Sequence, residues 1–171
     1  RVPEAGDTMT TKACAHKIEV RLRAEFTDAE GASALALLQG TGLPAAKEVR
    51  TSRVFEIAGV LNAGQVQQLA RELLCDPVTQ QFELVGASAP VSNGMSHWRV
   101  EVWLKPSVTD PVGDTVRRAM TEMGLPEPSS VRVGTAYHIA GRCGRAQLEK
   151  AVSRTLSNPV IHRVSVAEAH P

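Results

Sequence analysis

Aromatic residues are scarce in this sequence: two Trp, one Tyr and three Phe amount to 4% of 171 residues, and the net charge is only +1. A nucleic-acid platform combines a basic face with stacking rings, so that class is not predicted. Cysteine is equally sparse. Cys14, Cys75 and Cys143 are odd in number, widely separated and without a C-x-x-C spacing, which excludes a disulfide framework and a zinc knuckle. His16, His97, His138, His162 and His170 show no paired ligand spacing, so no metal site is expected. Neither G-x-G-x-x-G nor G-x-x-x-x-G-K-[ST] occurs, and no nucleotide cofactor is expected. Cys75, beside Asp76, has no evident base, and no catalytic residue is named. No apolar run approaches the roughly 20 residues of a membrane span. Residues 1–15 carry no apolar stretch of the secretory kind and read as an N-terminal extension with Met9 as the expected start. The expected location is the cytoplasm.

What is present is a pattern. Trp98, Val100, Val102 and Leu104 alternate with Arg99, Glu101, Trp103 and Lys105, which predicts a strand with one apolar and one polar face. Asp110 follows as a helix cap and Pro111 as the first helical residue, where no backbone donor is missed. Val112, Val116, Ala119, Met120 and Met123 then form one apolar stripe that ends at Gly124. Shifted back by 82 residues, the segment from Val100 to Gly124 falls on Ile18 to Gly42 without a gap, and between positions 18 and 84 there are 18 identities with the positions 82 later. Many of these are Gly, Pro or Asp, whose backbone demands are specific, so the chain is a tandem duplication.

Each copy continues alike. A second strand, Val49 to Ile57 or Val131 to Ile139, precedes a second helix with the stripe Val66, Leu69, Ala70, Leu73 and Leu74, or Leu148, Ala151, Val152 and Leu156. Asn62 is read as the cap of the first of these, while Pro77 and Pro159 stop the pair. Last strands are predicted over Val78 to Leu84 and Val160 to Val166. The class is therefore α+β, with two β-α-β-α-β repeats at 16–84 and 98–167 and a Gly-, Pro- and Ser-punctuated linker at 85–97. Three strands with two helices on one face leave an edge, and the other face, to be covered by the twin repeat about a pseudo-two-fold axis. Positions 18–84 carry 6 Lys/Arg and 9 Asp/Glu, positions 100–166 carry 9 and 6, so the halves have net charges of −3 and +3 and attract.

The second repeat, with LKPSVTDPVGDTVRRAMTEMGLPEPSSVRVG and TLSNPVIHRVSV, resembles the PurS family, small subunits of phosphoribosylformylglycinamidine synthase. The resemblance rests on Asp110, Pro111, Gly113, Gly124, Val131, Arg132, Gly134, Asn158, Pro159, Val160 and Ile161. Repeat one keeps Asp28 and Gly31, but Ala29 stands for the turn proline and Ser52 for the glycine after Val-Arg. Thr135 and Arg53 stand where the family usually has lysine.

The resemblance implies two PurS-like repeats of ferredoxin-like sandwich type, forming in one chain the dimer that such subunits make. It implies a non-catalytic component of a glutamine-dependent, ATP-using ligase of purine biosynthesis, bridging a PurQ-like glutaminase and a PurL-like synthetase. Expected partner-contact residues are Trp103, Asp110, Pro111, Gly113, Arg132 and Gly134. Each also has a local reading. Asp110, Pro111 and Gly113 fit a plain helix cap, Arg132 fits a surface ion pair, and Trp103 fits either an interface anchor or the contact between the repeats. A homodimer of the tandem chain is a further expectation. The competing reading is a regulatory module that binds a small molecule at a two-fold interface, since fold alone does not choose.

Overall fold

The computed structural model describes residues 14–85 and 97–169; most of the linker and of the N-terminal extension lie outside them, as does His170. Repeat one supplies β1 (Cys14–Leu22), α1 (Ala29–Gly40), β2 (Ala46–Gly59), α2 (Ala63–Leu69, prolonged by a π-helical turn Ala70–Leu74) and β3 (Gln80–Leu84). Repeat two supplies β4 (His97–Leu104), α3 (Pro111–Glu122), β5 (Ser130–Gly141), α4 (Arg145–Thr155) and β6 (His162–Ala169). The expected β-α-β-α-β order appears twice.

Local chemistry sets the ends. Asn62 and Gln65 close a reciprocal capping box on α2. After α1 and α3 the chain turns through Gly42 and Gly124, at φ of 105° and 73°, where a side chain would strain the backbone. The last strands begin later than predicted, at Gln80 and His162. Asp76 and Asn158 accept hydrogen bonds from the backbone of Val78 and Val160, and these side-chain-closed turns hold both valines out of the ladder.

All strands join one antiparallel sheet in the order β3-β1-β2-β5-β4-β6. The repeats meet edge to edge through β2 and β5. In that pairing Arg53 faces Thr135, and these two residues are 82 positions apart, so the pseudo-two-fold axis passes between them. The twin repeat thus covers an exposed edge, as expected, but its sheet is not laid over the other face. All four helices lie on the side carrying Val20, Phe55, Val100 and Ile139.

The helix layer is shared between repeats. Ala34 and Leu38 of α1, with Leu43 and Val49, pack into a core built otherwise from Trp98, Val100, Tyr137, Ile139, Leu148 and Val152 of repeat two. Reciprocally, Val116 and Met120 of α3, with Leu125, complete the core of Ile18, Val20, Phe55, Ile57, Val66 and Leu69. Neither repeat owns a finished core. Leu38, fully buried, lies among repeat-two side chains. Leu38→Ala is therefore expected to destabilise the entire chain by about 2–5 kcal/mol. Urea unfolding followed by Trp fluorescence, which reports repeat two alone, should shift together with far-UV circular dichroism. Separate transitions for the two signals would contradict the shared cores.

Candidate functional site

Two regions repeat about the axis: a charged cluster on the helix-free side of the sheet, and a pair of hollows on the helix side. Both use residues singled out by the sequence.

The hollows begin at the Asp-x-x-Gly turns. β1 stops pairing with β2 at Ser52, and β4 stops pairing with β5 at Gly134, so the ends of β2 and β5 beyond those points are free edges. Asp28 and Asp110 close them. Asp110 accepts from Gly113 N at 2.9 Å at the start of α3, and with its other oxygen from Val133 N at 2.9 Å on β5. Asp28 accepts from Gly31 N at 2.7 Å, from Thr51 N at 2.6 Å and from the Thr51 hydroxyl. Each carboxylate thus caps a helix and satisfies a strand edge. The turn glycine follows from the same closeness: a Cβ on Gly113 would sit 2.6 Å from Val131 O. Beside the turns lie two hollows of about 300 and 330 Å³, both reaching Arg53 and Thr135 on the axis.

On the other side, Lys17 Nζ lies 2.7 Å from Glu101, and Arg99 lies 2.7 Å from Glu19. Lys17 and Arg99 are equivalents 82 apart, as are Glu19 and Glu101, so these are two symmetric ion pairs across the repeats. Arg99 also holds Glu101 at 2.8 Å. Arg132 pairs with Glu56 across the β2–β5 junction at 3.5 Å and donates to Leu104 O. Glu19 and Glu101 are only 4% and 8% exposed.

Of the two sequence readings of Trp103, an exposed anchor or a contact between the repeats, its position matches the second. It lies on the polar face but is 6% exposed, clustered with Val54 of repeat one and Ala136. Its ring lies against Gly134, where a Cβ would come within 2.7 Å of ring carbons. Its Nε1 donates to Glu101 at 3.0 Å, and Lys17 and Arg132 each stand 5.5 Å from the ring centre. Gly134 is thus required by the tryptophan rather than by a turn. In repeat one the counterparts are Arg21, which pairs with Glu83 at the edge, and Ser52.

Ser52, His138 and Glu19 converge, a grouping the sequence did not reveal because they come from three strands and two repeats. His138 Nε2 lies 2.6 Å from Glu19 and 3.3 Å from the Ser52 hydroxyl, which donates to Glu19. A Ser-His-acid relay needs the acid on one ring nitrogen and the serine on the other. Here both approach Nε2, and the serine's proton is committed to the carboxylate, so the geometry is that of an ion-pair network rather than a nucleophile.

Burial opposes ionisation of Glu19, but hydrogen bonds from His138 and Ser52 and the Arg99 charge prevail and hold its carboxyl at about 2. Burial likewise opposes Glu101, and Lys17, Arg99 and Trp103 draw it below the usual carboxylate range. Burial raises the thiols of Cys75 and Cys143, away from nucleophilic character. Among the described residues, no group of three or more His, Cys, Asp or Glu is arranged to hold a metal ion, and no helix is long and apolar enough to cross a membrane.

The geometry defines a duplicated α+β chain whose Asp-x-x-Gly turns close helix starts and strand edges and whose polar cluster ties its halves together. The chain belongs to the PurS family of phosphoribosylformylglycinamidine (FGAM) synthase, whose model matches it twice, over residues 15–87 and 97–169. A curated relative, the phosphoribosylformylglycinamidine synthase subunit PurS of Synechocystis sp., is 32% identical over 83 residues, 44% of this chain and 83% of the relative. The relative accommodates one such repeat where this chain has two.

Two outcomes follow for the cluster. A carboxyl held lower in the folded than in the unfolded chain binds fewer protons when folded, so its stabilisation is complete above the ordinary carboxylate range and is lost as pH falls toward about 2. Urea midpoints of the wild type should drop between about pH 5 and about pH 2, and Glu19→Gln should be weaker at neutral pH with a shallower acid slope. Parallel curves for the two proteins would refute the assignment. Gly134→Ala should displace the Trp103 ring, cost about 1–3 kcal/mol as overpacking does, and red-shift the fluorescence. An unchanged emission spectrum with unchanged stability would contradict the packing.

Proposed function

We propose that this chain is a non-catalytic bridging subunit of an FGAM synthase in purine biosynthesis, holding a PurQ-like glutaminase and a PurL-like synthetase together so that ammonia passes between them. The observation that carries this reading is the double family match on a chain whose two repeats pair through β2 and β5. One tandem chain then stands in for two single-repeat subunits. Linking raises the effective concentration of each half around the other to about millimolar for a short flexible linker, so pairing does not depend on expression level.

Asp110 and Pro111 border a solvent-facing hollow, and Arg132 is half-buried on the helix-free side, which supports them as contact positions. Trp103, Gly113 and Gly134 are buried and would serve a partner only by fixing the surface around them. The test is reconstitution from purified glutaminase, synthetase and tandem chain, with glutamine and nucleotide present, analysed by sedimentation. A ternary complex containing one tandem chain per pair of PurS-type positions is expected, with synthase turnover that depends on the chain. The chain alone should hydrolyse neither glutamine nor ATP. Failure to join either subunit, together with saturable binding of a small metabolite by the isolated chain, would favour the regulatory-module reading instead.

A further inference from the structure

The two hollows are equivalent by position but not by chemistry. Pocket-lining residues 82 apart have diverged: Gln80 against His162, Glu30 against Val112, Thr51 against Val133, Arg53 against Thr135. The hollow at the start of α1 is lined by Asp28, Glu30, Arg21 and Arg53, but Asp28 is already held by Gly31 N and Thr51 and Arg21 pairs with Glu83, which leaves Glu30 as its uncommitted carboxylate beside Arg53. The hollow at the start of α3 shares Arg53 and, with Val112 at the position of Glu30, has no second carboxylate. Its one carboxylate, Asp110, already has one oxygen on Gly113 N and the other on Val133 N. Its cation, Arg53, is exposed, and among the described residues its guanidinium has no ion-pair or hydrogen-bond partner.

The remaining polar groups there are donors. His162 Nδ1 accepts from Asn158 N at 2.9 Å, so the ring proton of the neutral imidazole sits on Nε2. Thr135 contributes a hydroxyl beside Arg53. Tyr137 also lines the hollow, and the remaining side chains are apolar, with Val112 44% exposed at the rim. The hollow thus holds one uncommitted positive charge and no uncommitted carboxylate, with neutral polar groups beside it and an apolar side. The hollow is open to solvent, whereas small-molecule sites enclose roughly 70–90% of their ligand. A side chain delivered by a larger body needs no such enclosure, and Arg is a preferred interface anchor.

We propose that the hollow between α3 and the axis, with Arg53 at its head and Val112 at its rim, receives an acidic side chain followed by an apolar one from an extended segment of a partner subunit of the synthase. The guanidinium fork of Arg53 pairs bidentately with the carboxylate, which a lysine cannot reproduce. The neighbouring apolar residue rests against Val112 and Leu104. Because Arg53 belongs to repeat one and the hollow's walls to repeat two, only the paired repeats present this site. The proposal rests on the bridging reading above.

The experiment measures Kd of the full chain for purified glutaminase and for purified synthetase by biolayer interferometry at low and high salt. Arg53→Glu is expected to raise Kd for one of them by at least about tenfold, Val112→Asp to do likewise, and Arg53→Lys to fall between. Arg163→Glu, exposed on the opposite side of the sheet, should leave Kd within about twofold. Thermal midpoints of all four variants should match the wild type, since both targets are surface positions. Wild-type binding that Arg53→Glu leaves unchanged for both subunits would overturn the hollow while sparing the bridging role. No wild-type binding to either subunit would overturn both.

Discussion

The backbone ladder between β2 and β5 is the constraint on which the molecule depends. It runs from Ala46 opposite Gly141 to Ala58 opposite Ser130, and its centre sets Arg53 against its own equivalent, Thr135. Because antiparallel pairing of equivalent strands generates a two-fold, fixing this one register fixes every other relation between the repeats. It brings α1 over the repeat-two core and α3 over the repeat-one core, and it carries Lys17 to Glu101 and Arg99 to Glu19. A slip by one residue would turn the apolar set of β2, Val49, Phe55 and Ile57, to the helix-free side and set Val54 and Glu56 beneath the helices.

The charge cluster is a specificity device as much as a source of stability. Buried ion pairs roughly break even against their desolvation, but a half-made one is costly. With the register correct, Glu19 and Glu101 each find a cation from the other repeat; with it shifted, two carboxylates are left under-satisfied near the axis. The opposite net charges of the halves, read from composition, act over longer distance and are screened by salt. The short pairs at 2.7 Å are what discriminate one pairing from its neighbours.

Much of the fold was legible because its signals are local. The alternation in Trp98 to Lys105, the caps at Asp28, Asn62 and Asp110, and the 82-residue register are all statements about residues near in sequence or equivalent by duplication. Strand order was not legible: a period of two gives each strand a face but no neighbour, so edge-to-edge joining and face-to-face stacking read alike until β2 meets β5. The two readings of Trp103, exposed anchor or contact between the repeats, stayed level for a related reason. A large aromatic on a polar face ordinarily meets water, yet here Gly134 on the paired strand leaves room for the ring. The signal was present, since Trp103 with Gly134 in one repeat corresponds to Arg21 with Ser52 in the other, and the large ring coincides with the residue that lacks a Cβ. Ser52, His138 and Glu19 left no such trace, because their meeting requires both pairings of β2 at once.

Fusion explains why the two halves could part company. In a pair of identical chains every residue near the axis occurs twice, so Glu19 and Glu101 would have identical surroundings and any side chain helping one would have to fit beside the other. In one chain that requirement lapses. Glu19 is served by Ser52, His138 and Arg99, whereas Glu101 is served by Lys17, Arg99 and the Trp103 indole. Arg99 reaches both carboxylates, which Lys17 does not do in return, and the His138 ring occupies the position equivalent to Glu56, itself paired with Arg132. The same freedom acts on the helix side, where one hollow keeps its acids and the other has replaced Glu30's equivalent with Val112. A lone guanidinium on the axis, facing a threonine instead of a second arginine, is an arrangement no symmetric dimer can make. Covalent duplication thus permits a direction to be written onto a two-fold scaffold, with Glu30 in the hollow on one side of Arg53 and Val112 in the hollow on the other.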